Sequence, residues 1–154
     1  MKRRLSLALL LLVFLTASVM PGSATSAGLG GGFDPTGIFF IGALVEIPVA
    51  EWIDLRTQMS IALNSDITGL MLVNISALAH RPIEFFDPFL GMGIGVALTP
   101  RGYSVGFTVN GIAGVRIALF EPVSAFLDVH YVMRFTEEGL SHGPIYEAGL
   151  RATF

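Results

Sequence analysis

Ile53-Asp-Leu-Arg-Thr-Gln-Met-Ser-Ile-Ala-Leu63 is the stretch whose reading decides the fold. Ile53, Leu55, Thr57, Met59, Ile61 and Leu63 alternate with Asp54, Arg56, Gln58, Ser60 and Ala62. That period of two belongs to a strand with two unlike faces, because successive side chains of extended chain point to opposite sides. The same alternation recurs in segments of roughly ten to sixteen residues, as tilted membrane-spanning strands require: 37–47, 70–80, 89–99, 104–119, 125–135 and 145–154.

The charges test which face meets what. Glu46, Asp54, Arg56, Arg116, Asp128, Arg134, Glu147 and Arg151 are the formal charges inside these segments, and all fall on the parity opposite the more apolar face. Asp34, Glu51, Asp66, Arg81, Glu84, Asp87, Arg101, Glu121, Glu137 and Glu138 fall between segments. A soluble sandwich would turn its apolar face inward and load its outer face with charge. A strand set in lipid keeps ionisable groups on the lumen side only. The distribution therefore predicts an inverted barrel, and the composition agrees: 53% of the 154 residues are apolar and 14% charged, a greasy balance for a soluble domain of that length.

Part of that apolar content lies at the N-terminus. Lys2, Arg3 and Arg4 precede an apolar run from Leu5 to Val19 and a small-residue exit at Ala24 or Ala27, the pattern of a secretory signal peptide. The expected division is a leader over 1–24, with cleavage as late as 27 as the alternative, and a barrel over 25–154. The only lysine leaves with the leader, so six arginines then face all twelve acids, a formal charge of −6. No basic patch remains for nucleic acid. Cysteine is absent, which excludes disulfides and thiol chemistry.

Seven strands leave a barrel one short, since the termini of small barrels share one side of the membrane and the strand count is then even. Thr25 to Phe33, with four glycines before the turn signal Asp34-Pro-Thr-Gly37, is the remaining segment. It is expected to pair with 145–154, because an open edge in lipid costs several kcal/mol per orphan backbone group. The predicted fold is all-β, an eight-stranded antiparallel up-and-down transmembrane β-barrel. Pro48–Trp52, Arg81–Asp87 and Phe120–Ser124 are read as periplasmic turns. Asp34–Gly37, Asn64–Gly69, Thr99–Tyr103 and Thr136–Gly143 are read as short external loops. Trp52, Phe85, Phe86, Phe89 and Phe120 are expected at the membrane interface, where aromatic rings with one wet end collect.

The last segment places Tyr146, Ala148, Leu150, Ala152 and Phe154 on the lipid parity, and resembles the C-terminal signal that the barrel assembly machinery reads in bacterial outer-membrane proteins. With it, Pro88-Phe-Leu-Gly-Met-Gly-Ile-Gly-Val-Ala-Leu98, Gly111-Ile-Ala-Gly-Val-Arg116 and Phe126-Leu-Asp-Val-His-Tyr131 resemble the repeated hairpins of the outer-membrane protein A-like and opacity-type barrel families. The resemblance implies a bacterial outer-membrane location, contact with outer-membrane lipid, and the assembly machinery as a partner during biogenesis. A C-terminal peptidoglycan-binding domain and the long loops of adhesins are missing from the pattern, and a monomer is expected.

An eight-stranded barrel is only wide enough for its own side chains. Glu46, Asp54, Arg56, Arg116, Asp128, His130, Arg134, Glu147 and Arg151 are therefore expected to form an interior charge network. Gly42, Gly91, Gly93, Gly95, Gly106 and Gly114 on the same face would make room for the arginines. The expected role is structural or at the surface, with a narrow channel for water-sized solutes or ions as the alternative. A lipid-modifying enzyme is the third reading, and its only candidate constellation is Ser141, His142 and Glu137 or Glu138. No nucleophile elbow or oxyanion donors accompany that group. His80, His130 and His142 are too scattered in sequence for a metal motif, so neither cofactor nor metal is expected.

Overall fold

The computed structural model describes residues 25–63, 70–99, 104–137 and 139–154. The expected signal peptide, the loop segments 64–69 and 100–103, and the candidate acid Glu138 lie outside these residues.

Eight strands follow in chain order: β1 (Ser26–Phe33), β2 (Phe39–Ala50), β3 (Ile53–Leu63), β4 (Met71–His80), β5 (Phe86–Thr99), β6 (Ser104–Phe120), β7 (Val123–Thr136) and β8 (Gly139–Thr153). Each is antiparallel to its chain neighbours, and β1 pairs with β8 to close the ring. The glycine-rich segment is thus a strand on both sides, running Ser26↔Glu46 to Phe33↔Phe39 against β2 and Ser26↔Thr153 to Phe33↔Tyr146 against β8. Closure overrides the poor strand propensity of glycine because every backbone N–H and C=O on the seam gains a partner. Residues 51–52, 81–85 and 121–122 connect strands at the end where Thr25 and Phe154 meet, Phe154 N–H donating to the Thr25 carbonyl at 2.8 Å. We call this the terminal end and the opposite one the loop end.

Several strands run further than the sequence pattern indicates. β8 begins at Gly139 rather than Ile145, because the β7–β8 ladder continues to Thr136↔Gly139. Gly139 there takes φ +128°, a conformation that favours glycine. Beyond Tyr146 towards this turn, β8 has no β1 partner. Pro144 lies in that one-sided stretch, where the second edge has no ladder to lose. At the terminal end β5 begins at Phe86, with Asp87 paired to Arg116, so Asp87 is a strand residue and not part of a turn. In the β1–β2 turn, Asp34 Oδ1 accepts from the backbone N–H of Thr36 and of Ile38, both at 2.9 Å, and from Thr36 Oγ1 at 2.7 Å. This side-chain turn lets the chain reverse.

Burial runs inside out. Leu29, Leu90, Met92, Ile94, Val105, Leu127 and Leu150 are exposed on the outer face. Glu46, Asp54, Arg56, Gln58, Asn74, Arg116, Asp128 and Glu147 are buried in the lumen. With the barrel in lipid, the exposed apolar face lies in hydrocarbon and needs no water-facing polar cover. Among the described residues no helix is long and apolar enough to cross a membrane.

Candidate functional site

Three tiers fill the lumen. Nearest the loop end, Phe40, Ala62, Leu70, Leu72 and Ala97 form a buried apolar cluster, with Ile38 and Ile145 packed on it. Below it lie amides and hydroxyls: Thr108 Oγ1 donates to Asn74 Oδ1 at 2.9 Å, and Asn110 Nδ2 to Ser76 Oγ at 3.4 Å. The third tier, towards the terminal end, holds the ionised groups.

Arg56 is the hub of the charged tier. Its Nε donates to Glu46 Oε1 at 2.7 Å and its Nη1 to Asp128 Oδ2 at 2.7 Å. Nη2 lies 2.6 Å from the same Glu46 oxygen without hydrogen-bond geometry, so that contact is ionic only. Arg116 reaches Asp54 Oδ2 and Asp87 Oδ2, each at 2.7 Å, and Glu46 Oε2 at 3.2 Å. Arg151 bonds Glu46 Oε2 through Nη1, and its Nε donates to Ser124 Oγ at 2.9 Å. Each guanidinium is spread over two or more acceptors. Removing such charges from water costs several kcal/mol per ion, which only multiple good contacts offset.

Aromatic faces supply further contacts. Two guanidinium groups approach the Phe89 ring, Arg56 at 4.8 Å and Arg116 at 4.9 Å, and Arg56 also sits 5.9 Å from the Phe126 ring. Phe89 is therefore a buried lumen residue, which corrects its expected place at the interface. It lies on the inward parity of β5, and the quadrupole of its face attracts the two cations. Trp52, Phe85, Phe86 and Phe120 are exposed around the terminal end.

Of the glycines expected to make room for arginines, Gly106 alone adjoins one, Arg134; Gly42, Gly91, Gly93 and Gly95 adjoin Ser60, Leu78, Ser76 and Asn74, and Gly114 adjoins a ring. A Cβ on Gly114 would come within 2.5 Å of Phe89 Cζ, and one on Gly149 within 2.5 Å of Phe126 Cζ. A Cβ on Gly30 would come within 2.8 Å of the same Phe126 atom. Bare backbone at these points leaves room for the two phenyl rings.

Of the residues named from the sequence, Glu46, Asp54, Arg56, Arg116, Asp128, His130, Glu147 and Arg151 come together in this tier. Arg134 does not join them. It sits near the loop end, where its Nε donates to Ser141 Oγ at 3.0 Å. It has the inward parity of Asp128 and His130 but stands higher on β7, above the apolar cluster. Two members were missed. His80 lies 3.0 Å from Asp87 Oδ1 and 3.5 Å from Asp54 Oδ1, and Asp87 bonds Arg116. The parity of Leu72, Asn74, Ser76 and Leu78 carried one step further would have found His80. Extending β5 by three residues would have found Asp87.

His130 sits beside two carboxylates, with Nε2 3.0 Å from Asp128 Oδ1 and 3.8 Å from Glu147 Oε2. Gln58 Nε2 donates to that Glu147 oxygen at 2.6 Å. Asp128, His130 and Glu147 can present one ligand atom each within 4.8 Å of one another, all three residues being buried. The Ser141–His142 pair is divided: consecutive strand residues face opposite ways. Ser141 accepts from Arg134, while His142 Nδ1 shares a 2.7 Å hydrogen bond with the exposed Tyr131 hydroxyl. The two therefore share no face on which a nucleophile and its base could meet.

Tyr146, Ala148, Leu150 and Phe154 are exposed on the outer face of β8, and Ala152 is half-buried on the same parity.

A closed, all-antiparallel, eight-stranded ring with its buried charges inside and an apolar exterior is the fold of a small transmembrane β-barrel. No family model matches the chain, and no curated protein matches it significantly. Solved structures do. The N-terminal β-barrel domain of Pseudomonas aeruginosa OprF superposes with a TM-score of 0.69 at 11% identity, covering 86% of this chain and 100% of that one. Neisserial surface protein A gives 0.63 at 15% identity, covering 86% and 96%. A de novo designed transmembrane β-barrel gives 0.62 at 12%, covering 88% and 98%. The likeness is one of fold, and a designed barrel shares it, so function has to be argued from the lumen and surfaces of this chain.

Proposed function

We propose that this chain is a non-conducting structural barrel of the bacterial outer membrane, held by a packed, charge-paired interior, with no enzymatic activity. The observation that carries this reading is the filled lumen. Its ionised groups are tied to one another across the ring, and the buried apolar cluster of Phe40, Ala62, Leu70, Leu72 and Ala97 above them supports a closed path. An ion crossing that apolar tier would have to shed water with no polar partner in return. In this reading the terminal end faces the periplasm, and Tyr146, Ala148, Leu150, Ala152 and Phe154 are the strand the assembly machinery reads.

Planar-bilayer recording of the refolded protein tests it: the expected result is no steady openings. The rival reading, a narrow channel for water-sized solutes or ions, draws on the charged tier as a polar half-path open to the terminal end. Steady unitary currents whose ion selectivity changes in Arg116→Ala would establish that reading and overturn ours. Release of fatty acid from lipopolysaccharide by the purified barrel would overturn the non-enzymatic part.

A further inference from the structure

We propose that Asp128, His130 and Glu147 form a site for one divalent first-row transition-metal ion, with the side-chain oxygen of Gln58 as a fourth donor. The chemistry suits such an ion. An imidazole with two carboxylates is the donor set of zinc and its neighbours, whereas calcium and magnesium favour oxygen alone.

The geometry is close to what such an ion needs. Donors about 2.0–2.2 Å from a tetrahedral ion stand about 3.3 Å from each other. His130 Nε2 is 3.0 Å from Asp128 Oδ1 and 3.8 Å from Glu147 Oε2, distances on either side of that value, and the three donor atoms all lie within 4.8 Å of one another, so the widest pair draws together on the ion. Arg56 occupies the other oxygen of Asp128, which holds the carboxylate in place and leaves Oδ1 facing the imidazole.

An independent observation comes from Gln58. It is buried, its amide points at Glu147, and its Oε1 has no hydrogen-bond partner. A buried amide oxygen without a partner is unfavourable, since its desolvation goes uncompensated. Turning that amide by half a rotation exchanges nitrogen for oxygen and presents a neutral donor where Nε2 now meets the carboxylate.

The charge balance agrees. Among the described residues, Glu46, Asp54, Asp87, Asp128 and Glu147 face only Arg56, Arg116 and Arg151 in this tier, leaving two negative charges when both histidines are neutral. Glu46, Asp54, Asp87 and Asp128 each touch an arginine, whereas Glu147 pairs among the described residues only with His130. One divalent ion at that point offsets both charges.

The test uses the full barrel refolded in detergent with Co²⁺ or Zn²⁺ and then desalted, its folding checked by heat-modifiable gel migration. Wild type should retain about one ion per barrel, with a visible Co²⁺ absorption band, and Zn²⁺ should shift the His130 ring nitrogen resonance. His130→Ala should abolish retention and the band. Glu147→Gln should weaken binding at least about tenfold. His80→Ala, which alters the other histidine–carboxylate group, should leave binding unchanged. Wild type that retains no stoichiometric Co²⁺ or Zn²⁺, with an unshifted His130 resonance, overturns the proposal; so does unaltered binding in folded His130→Ala. Should that variant not fold, the wild-type metal content and resonance decide alone.

Discussion

Arg56 on β3 and Asp128 on β7 meet across the lumen, Nη1 to Oδ2 at 2.7 Å, from opposite sides of the eight-strand ring. Neither strand hydrogen-bonds to the other, so this pair and the Arg116–Glu46 contact between β6 and β2 tie together parts of the wall that backbone ladders join only the long way round. Losing the cation leaves Glu46 and Asp128 buried without their principal partner. Arg56→Ala is expected to destabilise the barrel by about 3–5 kcal/mol, measured by equilibrium denaturant unfolding in lipid vesicles. Adding Asp128→Asn should restore part of that loss, because one of the stranded charges is then gone. A double variant as unstable as the sum of the two single changes would show that the pair is not coupled.

The apolar tier at the loop end should be the barrier to ions. Phe40→Ala with Leu72→Ala removes two of its larger buried side chains and should permit intermittent conductance in planar bilayers. Each change should also cost about 2–5 kcal/mol of stability. Unaltered silence from the folded double variant would place the barrier elsewhere.

Two glycines make a matched comparison. A Cβ on inward Gly30 would meet Phe126 Cζ at 2.8 Å and Glu147 Oε1 at 2.9 Å, whereas one on outward Gly111 meets nothing within 4 Å. Gly30→Ala should destabilise by about 1–3 kcal/mol, the cost of overpacking, and Phe126→Leu should relieve part of it. Gly111→Ala should be neutral or slightly stabilising in the same unfolding assay.

The exterior should respond as a lipid surface. Met92 is 74% exposed near the middle of β5, so Met92→Arg should lose about 2–4 kcal/mol in vesicles, as cations near the bilayer midplane do. A change below about 0.5 kcal/mol, ordinary for a water-exposed site, would argue against membrane insertion of that face.

The N-terminal boundary is also testable. Ser26 pairs with Glu46 on one side and with Thr153 on the other, and its Oγ lies 2.9 Å from Thr153 Oγ1. Cleavage after Ala27 would remove this end of the closing seam. We therefore expect N-terminal sequencing of protein extracted from membranes to begin at Thr25.

The alternation in 53–63 and the parity of Glu46, Asp54, Arg56, Asp128 and Glu147 determined a great deal unaided, because strand geometry converts odd and even positions directly into two faces. Seven of the eight strands, inverted burial and most members of the charged tier follow from that rule alone, while the glycine-rich eighth strand followed from the need to close the ring. Height in the barrel does not. Parity assigns Arg134 and Asp128 to the same face, and only the staggered ladders set one near the mouth with Ser141 and the other beside Arg56. Asp87 and Phe89 lie where local signals compete: proline and aromatic residues read as a turn, yet pairing with Arg116 and Gly114 extends the strand and draws both side chains inward. The partners of Arg56 were likewise decided by tertiary structure. Its contacts lie 10 and 72 residues away along the chain, and ring closure sets which inward side chains face one another across the lumen, a distance that no local sequence pattern encodes.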